Sequence, residues 1–169
     1  LFNRLTQTRQ AITDEISGVT RDRHYGKSEW TGKEFSVIDT GGYVDGSDDI
    51  FEKEIRKQVE LAIDEANVIL FLVDAKDGIT DLDQAVVDLL RKSNKKVVLA
   101  VNKVDNSKLL EDAVEFHNLG MGDYIPFSSI SGSGTGELLD ELVKHFEDET
   151  EKQDDDLPKF AIIGRPNVG

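Results

Sequence analysis

Two stretches of this chain are apolar without a break and without alternation: "VILFLVD" (Val68 to Asp74) and the first part of "KVVLAVNKVD", about Lys96 to Val101. Successive side chains of a strand point to opposite faces, so a strand with one wet face alternates apolar and polar residues. A strand that is apolar throughout must be covered on both faces, which is the situation in a parallel sheet sandwiched by helices. The intervening segments supply the helices. Phe51, Ile55, Val59, Ala62, Ile63 and Ala66 recur at helical spacing from about Asp49 to Ala66. Ala85, Val86, Leu89 and Leu90 mark another helix, with Asp81 as its expected cap. Further helices are expected near Leu109 to Leu119 and from Thr135 to Phe146, and Leu1 to Thr8 looks like a helix entered partway. Strand signals also cover Arg23 to Trp30 and Glu34 to Asp39, joined as a hairpin by "TGK", a short run in "DYIPFSS", and Phe160 to Gly164. Strands alternating with helices predict an α/β fold with a mostly parallel sheet flanked by helices on both faces.

Composition narrows the function classes. No apolar run approaches the roughly 20 residues that cross a membrane, and without cysteine there is neither a disulfide nor a thiolate metal site, which fits a cytoplasmic setting. The net charge is −14, of which "EDETEKQDDD" (Glu147 to Asp156) carries −6, leaving −8 elsewhere. Like charges in a block repel and stay solvated, so residues 147–158 read as an acidic linker after a domain at 1–146. Little direct nucleic-acid binding is expected of so acidic a chain, because phosphate contacts need lysine and arginine.

In open α/β sheets ligands bind at the carboxyl ends of the strands, and Asp39, Asn102 and Ser128 each lie just past one. "NKVD" (Asn102 to Asp105) reads Asn-Lys-x-Asp. The Asp105 carboxylate can accept from guanine's ring N–H and its exocyclic amine, a donor pair that adenine lacks, and a buried polar group left unpaired makes rejection strong. Asn102 can tie the loop and the base edge together, and the stem of Lys103 can lie over the base. A plain surface turn is the competing reading. "DTGG" (Asp39, Thr40, Gly41, Gly42) pairs a carboxylate able to reach Mg²⁺ with a glycine N–H able to approach a terminal phosphate. Thr20 offers a hydroxyl that can complete a Mg²⁺ shell, and a backbone N–H near Ser129, in "SSI" (Ser128 to Ile130), can meet guanine's O6. Taken singly, each of these also reads as an ordinary loop. His24, His117 and His145 have no metal spacing and read as solvent-facing. Together the motifs occur in one order, each at a strand-to-loop junction.

"LFNRLTQTRQAI", "SGVTRDRHYG", "DTGGY", "NKVD" and "SGSGTGELLD" resemble the first G domain of the Der (EngA) family, bacterial ribosome-assembly GTPases with two G domains in tandem. "KFAIIGRPNVG" (Lys159 to Gly169) resembles the opening of the second, with Gly164, Asn167, Val168 and Gly169 in the phosphate loop. The resemblance implies a P-loop NTPase-type G domain that takes GTP or GDP with Mg²⁺, hydrolysis of GTP to GDP and phosphate by the parent protein, and action on the large ribosomal subunit beside a second G domain. Tyr43 stands where many GTPases carry a water-orienting glutamine. Der-like GTPases use K⁺ instead, a role that falls to Asn167 only if the last strand serves the first domain. Against that family the sequence is expected to open just after the first domain's phosphate-loop Lys-Ser/Thr and to stop just before the second domain's. The strand at 159–169 is expected either to fill the slot of the absent leading strand or to lie on the surface. Backbone N–H groups of Arg165 to Gly169 can still cradle phosphate, with Arg165 itself expected to be exposed. The alternative function is a hydrolysis-deficient nucleotide-binding or domain-interaction module.

Overall fold

The computed structural model describes residues 1–6, 24–40, 48–146, 157–165 and 167–169. The elements in order are α1 (Phe2–Thr6), β1 (His24–Trp30), β2 (Lys33–Asp39), α2 (Asp48–Glu65), β3 (Val68–Asp74), α3 (Asp81–Lys92), β4 (Lys96–Asn102), α4 (Ser107–Asp112), a 3-10 helix (Ala113–Leu119), β5 (Tyr124–Pro126), α5 (Thr135–Val143) and β6 (Lys159–Gly164).

The six strands form one sheet in the order β1-β2-β6-β3-β4-β5. Only β1 runs antiparallel, joined to β2 through Thr31 and Gly32, both at positive φ (50° and 81°), as a two-residue hairpin turn requires. The last strand in the chain therefore occupies a central position. Phe160 pairs with Val37 on one side and Val68 on the other, and Ile162 with Asp39 and Leu70. Central parallel strands satisfy their backbone groups on both edges.

The uninterrupted apolar strands behave as expected. Along β3, Ile69, Phe71 and Val73 face a layer made by α2, α3 and the 3-10 helix, with Val59, Val87, Leu90, Phe116 and Leu119. Val68, Leu70 and Leu72 face the opposite layer of α1 and α5, with Leu5, Leu138 and Leu142. β6 divides in the same way: Ala161 and Ile163 to one side, Phe160 and Ile162 to the other. Phe35, Phe146 and Phe160 cluster within the second layer, with centroids 5.3 to 6.4 Å apart. Each such ring removes a large apolar area from water, on the order of 2–3 kcal/mol per fully buried side chain.

Two local expectations need correction. The segment near Leu109 to Leu119 is one short α-helix followed by a 3-10 helix that ends at Gly120 (φ 62°). Only Ala113, Phe116 and Leu119 are buried there, a three-residue spacing that matches 3-10 winding better than 3.6. The cap of α3 is Thr80 rather than Asp81: Thr80 Oγ accepts from the Asp83 N–H, and Asp83 accepts from the Thr80 N–H in return.

Candidate functional site

Parallel pairing in register brings the carboxyl ends of β2, β6, β3 and β4 to one edge. Asp39 lies opposite Ile162, Gly164 opposite Leu72, and Asp74 opposite Asn102. The polar residues expected at strand ends thereby come to one edge, although Asp39 and Asn102 are 63 residues apart in sequence.

Asn102 is fully buried and is committed on every side. Its Oδ1 accepts from the Ser129 N–H (2.9 Å); its Nδ2 donates to Ser129 Oγ (3.0 Å) and to the Val168 carbonyl. It joins three loops to one another. The Ser129 N–H, expected at the base's O6, is therefore already used within the protein. Lys103 adopts φ 66°, unusual for a residue with a side chain. Its ammonium is held between Asp74 Oδ2 (2.5 Å) and the Asn167 carbonyl (2.7 Å).

Asp105 stands at the rim with its side chain 35% exposed. Ser128 Oγ donates to its Oδ1 (2.7 Å), and Lys76 Nζ lies 3.2 Å from its Oδ2. These partners, the serine hydroxyl first and the lysine second, hold the carboxyl below its ordinary range, so it is ionised at neutral pH. Ile130 is exposed beside it.

The other end of the edge is a cleft of roughly 220 Å³ lined by Asp39, Leu72, Gly164, Asn167, Val168 and Gly169, among others. Gly164 meets a real steric demand: a Cβ there would stand 2.7 Å from the Leu72 carbonyl oxygen and 2.9 Å from Val168 Cγ2. The Leu1 nitrogen donates to the Gly169 carbonyl (3.2 Å), so α1 follows directly on the loop in space. Thr40 turns inward, its hydroxyl donating to the Ile162 carbonyl (2.7 Å), and so ties β2 to β6. Arg165 corrects an expectation of exposure. Its side chain is only 16% exposed and pairs with Asp77, whose carboxyl is lowered by that contact. Thr20, Gly41, Gly42 and Tyr43 lie outside the described residues, as does the acidic linker up to residue 156.

Three participants were missed. Asp74, 2% exposed, ends an otherwise apolar strand, and a charge in that position needs a partner; that signal was readable. Lys76 and Arg4 carried none, since each meets its partner only through the tertiary fold. Arg4 donates to the carbonyls of Ser129 and Ile130.

A family model described as 50S ribosome-binding GTPase matches residues 1–103. The chain belongs to this family. Among relatives, it is 66% identical to GTPase Der of Flavobacterium johnsoniae over 100% of this chain and 39% of that protein. It is 62% identical to GTPase Der of Christiangramia forsetii over 99% of this chain and 39% of that one. The chain thus spans well under half the length of the curated relatives it matches. Two solved structures share the fold. A variant of Aquifex aeolicus Era bound to GDP and AlF4⁻ gives a TM-score of 0.68 at 24% identity, covering 92% of this chain and 55% of that one. Era in complex with MgGDPNP and a segment of 16S ribosomal RNA gives 0.65 at 23% identity, with the same coverage. Family membership makes this a GTP-binding domain of α/β type. No helix among the described residues is long and apolar enough to cross a membrane.

Proposed function

We propose that the edge formed by Asn102, Lys103, Asp105 and Ser128 to Ile130 reads guanine, that residues 164–169 cradle the phosphates, and that the chain is the nucleotide-binding domain of a ribosome-assembly GTPase. The observation that carries this reading is the ionised carboxylate of Asp105, fixed at an open rim by Ser128 and bonded through its neighbours to the loop at 167–169. Guanine's N1–H and amine would take the place of Lys76 at that carboxylate, a half-exposed partner that is inexpensive to displace. The whole protein, on this reading, hydrolyses GTP to GDP and phosphate and acts on the large ribosomal subunit beside a second G domain.

Of the expected Mg²⁺ donors, the described residues supply the Asp39 carboxylate at the cleft; the hydroxyl expected from Thr20 is outside them. Magnesium would supply charge neutralisation at the phosphates. Asn167, exposed and at φ 65°, is the residue that the family resemblance offers to K⁺. Its carbonyl is held by Lys103, and the residue lines the cleft.

The test is a ¹⁵N–¹H NMR titration of the chain with GDP and, separately, ADP, a method that follows even millimolar binding. GDP should shift the amides of residues 102–105, 128–131 and 164–169, and ADP should leave 102–105 in place. Equal responses to both nucleotides would refute base recognition at this edge.

A further inference from the structure

Arg4 lies outside the base-reading and phosphate-loop motifs, yet it reaches the base-side loop with two donors. Its Nε donates to the Ser129 carbonyl (2.7 Å) and its Nη2 to the Ile130 carbonyl (2.6 Å). A guanidinium offers these donors in a rigid planar fork, which a lysine cannot reproduce. Gly132 makes room for it. At φ 87°, a Cβ there would stand 2.7 Å from Arg4 Nη1.

The fork has a consequence one peptide away. No cis peptide occurs among the described residues, and in a trans unit the N–H points opposite to the preceding C=O. Capture of the Ser129 carbonyl by Arg4 therefore turns the Ile130 N–H away from Arg4. The amide before it, that of Ser129, donates to Asn102 Oδ1, and the amide after it, that of Ser131, donates to Ser128 Oγ (3.2 Å). The Ile130 N–H has no acceptor among the described residues. It sits on an exposed residue, two positions beyond the serine that bonds Asp105. On guanine, O6 adjoins N1–H on the edge opposite the amine, so a donor beside Asp105 meets O6.

We propose that Arg4 is a positioning residue for guanine recognition: by gripping two successive carbonyls it aims the Ile130 N–H at the base's O6. This rests on the nucleotide reading above and adds to it a residue that lies outside the base-binding loops.

The experiment compares GDP with 6-thio-GDP, in which a weaker acceptor replaces O6, by NMR titration of the wild-type chain, Arg4→Ala, Arg4→Lys and Gly132→Ala. Wild type should prefer GDP. Arg4→Ala should bind GDP about tenfold more weakly, the worth of one good hydrogen bond, and should lose most of the preference over 6-thio-GDP. Arg4→Lys should keep the charge and still lose the preference, and Gly132→Ala should act like it by displacing the fork. Arg4 is exposed, so Tm should not move. A preference that persists in Arg4→Ala overturns the proposal; should that variant unfold, the same ratio in Arg4→Lys decides. A wild type that gives no shift with GDP overturns the nucleotide reading itself, a result distinct from a persisting ratio.

Discussion

The two ends of the polar edge are built differently. At the proposed base end two of the contacts join side chain to side chain, Ser128 to Asp105 and Asn102 to the Ser129 hydroxyl, beside main-chain contacts to the Ser129 N–H and to the two carbonyls that Arg4 holds. At the phosphate end the partners are main-chain carbonyls of Ile162, Asn167, Val168 and Gly169, reached by Thr40, Lys103, Asn102 and Leu1. The end at Asp105, where base reading is proposed, thus depends in part on residue type, whereas the end proposed for the phosphates depends on where the backbone lies, and so on the insertion of β6 between β2 and β3. The pair formed by Asp74 and Lys103 joins the two.

Substitutions at the joint, at the phosphate end and at the base end should separate these contributions. The largest effect is expected at the joint. Asp74→Ala leaves the Lys103 ammonium without its buried partner and should cost about 3–5 kcal/mol in urea unfolding. A cost under about 1 kcal/mol would mean that the two ends are held independently. Next is Gly164→Ala, which presses a methyl against the Leu72 carbonyl and should cost about 1–3 kcal/mol. Its amide shifts should centre on residues 164–169 and leave Asp105 in place; equal shifts at both ends would erase the distinction drawn here. The smallest is Ser128→Ala, confined to the base end. Loss of the hydroxyl should raise the Asp105 carboxyl toward its ordinary range, read by ¹³C NMR titration. The sign follows from linkage. Folded Asp105 releases its proton more readily than the unfolded chain does. Its stabilising contribution is therefore present above the unfolded pKa and is lost as the pH falls through the folded one. Ser128→Ala should flatten that acid-side loss.

The same contrast explains what the letters disclosed. Val68 to Val73 announced a strand covered on both faces because each of those positions is apolar, and both faces are covered. That Asn102, Asp105 and Ser128 meet at one edge could be read from their places at the strand ends. For β6 two places were open, the leading-strand slot or the surface, and the assembled sheet puts it centrally, between β2 and β3. Arg165 was misjudged because its partner, Asp77, comes from a loop eighty-eight residues away. The winding of Ala113–Leu119 was misjudged because its burial spacing of three also satisfies a helical pattern. Arg4 lies in a stretch that carries the resemblance but no site motif, and its contacts depend on two carbonyls, which every residue carries.

Guanine reading at Asp105 is tested most directly by titrating wild type and Asp105→Asn with GDP and with XDP, whose base carries a carbonyl where guanine has its amine. An amide at residue 105 can donate to that carbonyl and cannot accept guanine's donor pair. Wild type should prefer GDP, and the variant should reverse the order. An unchanged preference for GDP in Asp105→Asn would show that this carboxylate does not read the base.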